Sequence, residues 1–416
     1  MDHLTVALAS GFHLLDDECM TDASPPAPSS DREFDLVLLG ATGFTGRLTA
    51  AYLARHAPGG LRWALAGRNP AKLEGVRDHL AGIDQTLGDL PLLATDVTDD
   101  VSLKDVANRA RVVITTVGPY LHFGEPMVAA CAEAGTDYVD LTGEPEFVDR
   151  VYVAHHATAQ QTGARIVHAC GFDSIPHDLG AYFTVQQLAD DVPIKLRGVV
   201  RAGAMVSGGT FHTAMNGYSR LRQSRAAYAA RRQVEPRPEG RSSRAVAGKP
   251  HRDKDLGRWL LPLPTIDPVI VARSAAALPA YGPEFRYSHF AGTKTLRYAV
   301  GGAATVAALG LAAQVPPVRR ALLSRIPQGE GPDQARRARS WFTVDFVGEG
   351  GGQSIRTRVS GGDPGYDETA KMLAESALCL AFDDNPPTSG QVTTAQAMGD
   401  ALTERLIAAG LKFEVL

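Results

Sequence analysis

Between residues 34 and 178, short apolar runs alternate with longer segments whose apolar residues recur at helical spacing. The runs that we predict to be strands are residues 34–39, 61–67, 91–96, 112–118, 137–143 and 164–171. The segments that we predict to be helices are residues 47–56, 70–80, 102–109, 126–134 and 147–162. Such alternation is typical of a parallel sheet covered by helices. The pattern predicts an α/β fold whose first domain, residues 34–178, is a Rossmann-type doubly wound parallel sheet.

The pattern changes after residue 196. Residues 341–347 and 354–360 alternate in polarity with a period of two and are joined by a glycine-rich turn, which predicts a β-hairpin. A strand at 199–205 and a helix at 211–230 precede it. We therefore expect residues 196–362 to form a second, α+β domain with an antiparallel sheet.

Two amphipathic segments follow that domain. Residues 368–382 and 394–409 each carry an apolar stripe at helical spacing, which predicts two helices that pack in a core. We expect this C-terminal part, residues 365–416, to return to the first domain.

Residues 1–33 lack the basic start and long apolar run of a signal peptide. Because residues 21–32 are rich in Pro, Ser and Asp, we predict a disordered leader. Both Met1 and Met20 remain candidate starts. The four cysteines lie far apart without metal-ligand spacing, which favours a reduced, cytoplasmic protein and predicts no metal site. A formal net charge of −4 argues against a nucleic-acid partner.

A glycine-rich turn directly follows the first predicted strand. Glycines at 40, 43 and 46 are spaced Gly-x-x-Gly-x-x-Gly, and a predicted helix begins at once. Glycine permits the tight turn, the approach of a pyrophosphate and close packing of helix on sheet. The helix N-terminus favours phosphate binding. We therefore predict a dinucleotide site, with these cofactor-binding residues: Gly40, Thr42, Gly43, Phe44, Thr45 and Gly46.

The end of the second strand bears on the choice of cofactor. An NAD site places an acidic residue there, which binds the ribose hydroxyls. This chain has Gly67-Arg68-Asn69 instead. An arginine fork suits a 2′-phosphate, so NADP(H) is favoured over NAD(H), with Arg68 and Asn69 as binding residues. A solvated surface arginine is the alternative.

Other strand ends should also line the cofactor crevice, because ligands of open sheets bind off the carboxyl ends of strands. Val117, Gly118 and Pro119 follow the fourth strand and are predicted to contact the cofactor. Asp96 ends the third strand. It either contacts the adenine or caps the next helix.

The densest polar cluster, residues 170–178, follows the sixth strand. One interpretation makes Asp173 or Ser174 the cap of a helix that starts near Pro176. The other places Asp173, Ser174 and His177 beside the nicotinamide, where they orient substrate or relay a proton. The two roles are compatible.

Several motifs of this sequence, in their order along the chain, resemble those of the saccharopine dehydrogenase-like oxidoreductases. The sequence is most similar to their actinobacterial branch of trans-acting enoyl reductases, over residues 34–416. The matching motifs are Gly40–Gly46, Leu65–Arg68, Thr115–Tyr120, Thr136–Glu144, Ala169–Pro176, Phe285–Ser288, Tyr366–Ala370 and Thr393–Asp400. The resemblance implies an NADPH-dependent reductase that reduces an activated double bond in a lipid- or polyketide-type acyl substrate for glycolipid assembly.

Enoyl reduction needs a proton donor as well as a hydride. Tyr120 is the first candidate donor, with Asp173 and Ser174 as orienting residues. None of Tyr52, Tyr120, Tyr138, Tyr182 and Tyr218 has a lysine four residues later, so the Tyr-x-x-x-Lys pair of short-chain dehydrogenases is absent at these positions. Two alternatives stay open: a non-catalytic NADP(H)-binding accessory protein at a membrane or lipid surface, and a saccharopine-type amino-acid dehydrogenase.

Two segments of the second domain indicate partners. Residues 217–258 contain twelve Lys or Arg against four Asp or Glu, so this basic insertion either meets an acidic carrier or anionic membrane, or is a solvated loop. Residues 298–318 carry no charge and are flanked by arginines. This apolar segment either lies on the inner face of the plasma membrane as a peripheral helix, or is buried in the core or in a homodimer contact.

Overall fold

The computed structural model describes residues 32–204, 207–325 and 331–416. The predicted leader, apart from residues 32 and 33, lies outside the described residues, as does the end of the strand predicted at 199–205. The strands are β1 Phe34–Leu39, β2 Trp63–Gly67, β3 Leu92–Ala94, β4 Ala110–Thr115, β5 Asp137–Asp140, β6 Arg165–Val167, β7 Ile194–Ala202, β8 Ser242–Ala245, β9 His251–Asp253, β10 Arg258–Pro262, β11 Glu284–Thr293, β12 Phe342–Gly350, β13 Gln353–Gly361, β14 Gly390–Val392 and β15 Lys412–Val415. The α-helices are α1 Phe44–His56, α2 Pro70–Ala81, α3 Asp100–Arg109, α4 Tyr120–Phe123, α5 Glu125–Ala134, α6 Pro145–Thr162, α7 Ile175–Val185, α8 Gly208–Ser219, α9 Leu221–Val234, α10 Asp267–Ala277, α11 Leu296–Gln314, α12 Pro316–Leu323, α13 Gln334–Arg337, α14 Asp367–Phe382, α15 Thr394–Ala397 and α16 Gly399–Ala408.

The first sheet is parallel throughout, in the order β14-β6-β5-β4-β1-β2-β3. Its strand order reverses at β1, which puts the carboxyl ends of β1 and β4 side by side. Because ligands of open sheets bind at such a reversal, this geometry places the crevice above Gly40. The predicted doubly wound α/β fold is confirmed.

The edge strand β14 was not predicted. It comes from the C-terminal part of the chain and pairs in parallel with β6. It is three residues long and buried, so its sequence carries neither the length nor the alternation that identifies a strand.

The second sheet is mixed, which corrects the antiparallel sheet predicted for this domain. Its order is β15-β13-β12-β7-β11-β10-β9, with β8 paired to β11. The predicted hairpin is present as the antiparallel pair β12–β13. However, β11 runs parallel to both β7 and β8. Strand direction depends on long connections that local alternation does not encode.

The C-terminal helix α14 packs against α1 and across β1, β4 and β5 of the first sheet. It is buried on nearly all sides, and main-chain carbonyls near its end accept hydrogen bonds from Arg111 (2.5 Å to Ala381) and Arg165 (2.9 Å to Leu380). The C-terminal segment thus completes one face of the first sheet.

Helix α7 carries the chain from the first sheet to the second and packs on β12 and β13. A Cβ added to Gly180 would lie 2.4 Å from the ring of Phe346, so glycine permits this close packing. The residues at the N-terminus of α7 are thereby held between the two sheets.

Two predicted helices are each divided. The helix predicted at 211–230 is α8 followed by α9, with Arg220 between them outside helical geometry. The helix predicted at 394–409 is α15 followed by α16, with a break at Met398. The charge-free segment 298–318 forms most of α11 and the start of α12.

Candidate functional site

The turn between β1 and α1 requires glycine at two positions. Gly40 has φ +88°, a left-handed conformation that glycine adopts without strain, and a Cβ there would lie 2.7 Å from Thr116 Oγ1. A Cβ on Gly46 would lie 2.2 Å from the carbonyl oxygen of Gly40. The helix therefore approaches the turn more closely than any side chain allows.

Gly43 caps α1 without a side chain, and a Cβ there would meet nothing closer than 3.4 Å. Glycine at this position is therefore explained by the approach of a ligand rather than by internal packing. Phe44, Thr45 and Gly46 supply the first N–H groups of the helix, which have no acceptor within it. The cradle fits the pyrophosphate of a dinucleotide.

A crevice of about 460 Å³ opens above this turn, between the two sheets. Five parts of the chain line it: the glycine turn, the ends of β4 to β6, the end of β7, the N-terminus of α8 and the start of α14. The lining residues are Gly43, Phe44, Thr45, Gly46, Thr116, Gly118, Pro119, Tyr120, Leu141, Gly143, Glu144, Ala169, Gly171, Phe172, Asp173, Ala202, Ala204, Ser207, Gly209, Thr210, Thr213, Pro364, Gly365, Tyr366 and Thr369.

A larger cleft of about 1130 Å³ lies along the outer face of α1, against α2 and α13. Thr42 lines this cleft, on the other side of the turn from the crevice. Of the two spaces, the crevice contains the free N-terminus of α1 and the strand ends, which is where an open sheet binds its ligand.

Arg68 and Asn69 occupy the end of β2 as predicted from the sequence. Arg68 is exposed, and within the described part of the chain no hydrogen bond or ion pair holds its guanidinium. The Asn69 side chain accepts the Lys72 N–H at 3.0 Å, so it caps α2.

Asp96 does not cap the next helix; that role belongs to Asp99, whose side chain accepts the Val101 N–H at 3.1 Å. Asp96 instead accepts the N–H and hydroxyl of Thr98 at 2.9 and 2.8 Å. These bonds, together with the nearby charge of Arg68, hold the pKa of Asp96 below its usual value. The interpretation of Asp96 as an adenine contact stays a prediction.

The segment after β4 forms one wall. Gly118 and Pro119, joined by a cis peptide bond, line the crevice. Val117 packs against the glycine turn, since a Cβ on Gly40 would lie 2.9 Å from its Cγ2. These three predicted cofactor residues thus lie together beside Gly40.

Tyr120 is buried, and both functions of its hydroxyl are used. The hydroxyl donates to the Thr115 carbonyl at 3.0 Å and accepts the Leu141 N–H at 3.1 Å. Burial, with the nearby Asp140 carboxylate, raises the pKa of Tyr120 well above its usual value. This geometry joins the ends of β4 and β5 and commits the hydroxyl proton to the main chain, so it does not favour the predicted role as proton donor.

Asp173 lines the crevice beside Gly143. A Cβ on Gly143 would lie 3.1 Å from Asp173 Oδ2, so glycine there leaves space for the carboxyl. No hydrogen bond or ion pair to this carboxyl is found among the described residues. Burial and the Asp267 carboxylate raise the pKa of Asp173 to about 6, although the charge of His177 opposes them. Asp173 is partly buried, and a crevice carboxyl with a raised pKa is characteristic of functional sites.

Ser174 precedes α7, but its side chain makes no capping hydrogen bond. Its Oγ is buried without a partner among the described residues. The interpretation of Asp173 or Ser174 as a side-chain cap is therefore wrong. The start of α7 is instead fixed by the main chain, with the Ile175 N–H bonded to the Gly171 carbonyl at 2.9 Å.

Sequence reasoning did not identify the wall formed by residues 364–369. Tyr366 contacts the ring of Phe44 at 4.9 Å between centroids, and Thr369 Oγ1 accepts the Phe172 N–H at 3.1 Å. This wall bridges the glycine turn and the Asp173 loop. Tyr366–Ala370 contributed to the family resemblance, but no residue pattern indicated that it reaches the crevice.

Glu144 is another residue that the sequence did not single out. Its carboxylate accepts the N–H groups of Tyr120 and Leu121 at 3.0 and 2.9 Å, and burial raises its pKa. His122 and Glu125, which follow the strand end closely, do not line the crevice. Glu125 forms an ion pair with Arg150 instead.

Comparison with known proteins agrees with this geometry. Residues 36–167 match the model of the saccharopine dehydrogenase NADP binding domain. A trans-acting enoyl reductase of Mycobacterium bovis is 36% identical, covering 92% of this chain and 97% of the relative. A Mycobacterium tuberculosis protein that provisionally carries the same name is 40% identical, covering 93% of this chain and 98% of the relative.

Among solved structures, apo saccharopine dehydrogenase (L-Glu forming) of Saccharomyces cerevisiae has a TM-score of 0.53 at 13% identity, covering 92% of this chain and 99% of that one. At this identity the similarity shows the fold alone. The relatives, the matching domain and the glycine cradle together show that the chain belongs to the saccharopine dehydrogenase-like family, in its trans-acting enoyl reductase branch, and is an NAD(P)H-dependent oxidoreductase.

Proposed function

We propose that this protein uses NADPH to reduce the activated double bond of a lipid- or polyketide-type enoyl thioester, in the assembly of a glycolipid. The observation that carries the proposal is the carboxyl of Asp173, which has no partner among the described residues and lies in the same crevice as the glycine cradle. NADPH supplies the hydride when bound. The chain must supply a proton, an orienting surface and exclusion of water.

Asp173 is the proton donor in this proposal, in place of Tyr120. Its neutral form holds a proton at a carboxyl oxygen that faces the crevice, and a pKa of about 6 leaves that form accessible near neutral pH. Addition of hydride at one carbon of the double bond and of this proton at the other balances the reaction. Tyr120 then keeps the strand ends in register.

The crevice volume of about 460 Å³ admits the nicotinamide end of the cofactor and the reacting part of an acyl group. A long acyl chain has to extend outside it. Ser207 and Thr210, at the N-terminus of α8, line the crevice, and the basic insertion begins at the other end of the same helix. We therefore propose that the acyl group arrives on an acidic carrier, which the arginines of that insertion attract.

Arg68→Ala should weaken NADPH binding about 10- to 100-fold and leave NADH binding unchanged, because charge-assisted hydrogen bonds contribute about 1.5–3 kcal/mol. Fluorescence titration of the two nucleotides measures both constants. Arg77→Ala, further along α2, serves as a control and should bind both like the wild type. Equal losses for the two nucleotides, or none, would refute recognition of the 2′-phosphate by Arg68.

Asp173→Asn should lower kcat about 10²- to 10⁴-fold, the range for loss of a general acid. The donor is protonated below its pKa, so wild-type kcat should fall as pH rises through about 6, and the variant should lose this limb. NADPH consumption with an enoyl thioester, measured across pH, tests both. Asp89→Asn, at an exposed carboxylate, is the control.

The melting temperature of Asp173→Asn distinguishes a role of Asp173 as proton donor from a structural role. The folded pKa of Asp173 lies above the unfolded value, so its ionisation above pH 6 costs folding free energy. Asp173→Asn removes that cost, and its Tm at pH 8 should equal or exceed that of the wild type. A lower Tm with an unchanged pH profile would show that Asp173 supports the fold instead.

A second proposal concerns the apolar helix α11, which is long and apolar enough to cross a membrane by length and composition, with a mean hydropathy of 1.4. Only 11% of this apolar stretch of α11 is buried inside the protein. We propose that α11 lies on an anionic membrane, with Arg297, Arg319 and Arg320 at head-group level. Because α11 packs against α8, this would place the crevice beside the lipid phase.

Leu311→Glu should reduce binding to phosphatidylserine-containing vesicles at least about tenfold, because burial of a leucine contributes about 1.5–3 kcal/mol. Leu311 is 72% exposed. Val101→Glu, 78% exposed on α3 of the first domain, is the matched control and should bind vesicles normally. Co-sedimentation measures both. If the wild type does not bind vesicles and is a dimer, whereas Leu311→Glu is a monomer, α11 forms a homodimer contact instead.

A further inference from the structure

Three ionisable side chains meet behind the crevice wall, from segments far apart in the sequence. His177 lies on α7, Asp267 in the first turn of α10 and His289 on β11. His177 Nδ1 is 2.9 Å from Asp267 Oδ1, and His289 Nε2 is 3.7 Å from Asp267 Oδ2. All three residues are at most 4% exposed. Both histidine rings therefore converge on one carboxylate away from water.

The contacts within the cluster leave several hydrogen-bonding positions of these side chains unfilled. Within the described residues, both ring nitrogens of His177, Asp267 Oδ1 and His289 Nε2 lack a hydrogen-bond partner with acceptable geometry. Unpaired buried polar atoms are costly and rare in native proteins, and here four belong to one cluster. Their convergence indicates that a further group completes the cluster.

Tyr287 orients the second histidine. Its hydroxyl lies 3.0 Å from His289 Nδ1, so that nitrogen is occupied and Nε2 is left to face Asp267. If Nδ1 carries the ring proton, the Nε2 lone pair points at a carboxylate, which is repulsive unless a cation lies between them. A hydrogen bond from the second nitrogen of a histidine is the usual support of a metal ligand.

The distances also suit a small cation. One ligand atom from each residue can be chosen so that all three lie within 4.8 Å of one another. Tetrahedral bonds of about 2.0–2.2 Å to Zn²⁺ hold ligand atoms about 3.3–3.6 Å apart, so rotation of a ring has to close the widest pair by about 1.3 Å. Two imidazoles and one carboxylate form a donor set that transition metals, Zn²⁺ above all, prefer over Ca²⁺ or Mg²⁺.

We propose that His177, Asp267 and His289 bind one divalent transition-metal cation of the Zn²⁺ class. The ion clamps α7, which leaves the first sheet, to α10 and β11 of the second domain. Phe172, which lines the crevice beside Asp173, contacts the ring of His177 at 5.5 Å between centroids. The clamp thereby holds the loop that carries Asp173. The sequence predicted no metal site because its ligands are separated by 90 and 22 residues (267 − 177 and 289 − 267).

The test uses the full chain, treated with a chelator and then titrated calorimetrically with Zn²⁺. We expect one Zn²⁺ per chain and a higher Tm when the ion is bound. His289→Gln and Asp267→Asn should weaken binding at least about 100-fold, and Tyr287→Phe about 10- to 100-fold, the range for loss of a supporting hydrogen bond. His251→Gln is the matched control, because its exposed ring lies 3.9 Å from Asp253 and no third ligand joins them among the described residues.

Co²⁺ provides a measurement that needs no variant. Bound at this site, it should give the intense visible absorption of a low-coordinate ion with nitrogen and oxygen ligands, which added Zn²⁺ abolishes. Absence of both stoichiometric Zn²⁺ binding and the cobalt spectrum would overturn the proposal. Equal Zn²⁺ affinity in His289→Gln and the wild type would overturn it as well. Neither readout depends on catalytic turnover.

Discussion

The buried carboxylate of Asp178 joins three helices from different parts of the chain, α7, α10 and α15. It lies on α7 and accepts hydrogen bonds from Ser274 Oγ on α10 at 2.5 Å, and from Thr394 Oγ1 and the Ala395 N–H of α15 at 2.6 and 2.9 Å. A buried carboxylate is tolerated when such donors replace water. The first domain, the second domain and the C-terminal segment thus share one acceptor, which fixes how the two sheets face each other.

The acids around the crevice differ in how fully they are paired. Asp140 accepts the hydroxyl of Tyr138 at 3.1 Å and contacts His168 Nδ1 at 2.7 Å, while its other oxygen accepts main-chain N–H groups. Asp178 is likewise satisfied. Asp173 alone of these three carboxyls faces the crevice without a partner among the described residues. Satisfied acids stabilise architecture, whereas an unsatisfied one is available for a proton or a substrate.

Much of the fold was predictable because local sequence encodes it. The glycine turn, strands β1 to β6 and the β12–β13 hairpin follow from glycine geometry and from periodicity. The parallel pairing of β7 with β11 and the addition of β14 at the sheet edge were not predictable, because both depend on contacts between distant segments.

In the candidate site, too, locally encoded features were predictable and contacts between distant segments were not. Residues at strand ends, such as Gly118 and Asp173, could be placed at the crevice because parallel strands end at one edge. The hydrogen bonds that occupy the Tyr120 hydroxyl come from main-chain groups of two strands, and no residue pattern reveals them. The 364–369 wall and the His177–Asp267–His289 cluster likewise exist only after the chain has folded.

The central claim is that the crevice transfers hydride to an acyl group, and the most direct test follows the hydrogen itself. The protein is incubated with an enoyl thioester and NADPH deuterated at the transferable C4 position, and the acyl product is analysed by mass spectrometry. The account predicts a saturated thioester that carries one deuterium from the cofactor. Recovery of the unreduced thioester with unoxidised cofactor would contradict it and favour the non-catalytic NADP(H)-binding alternative.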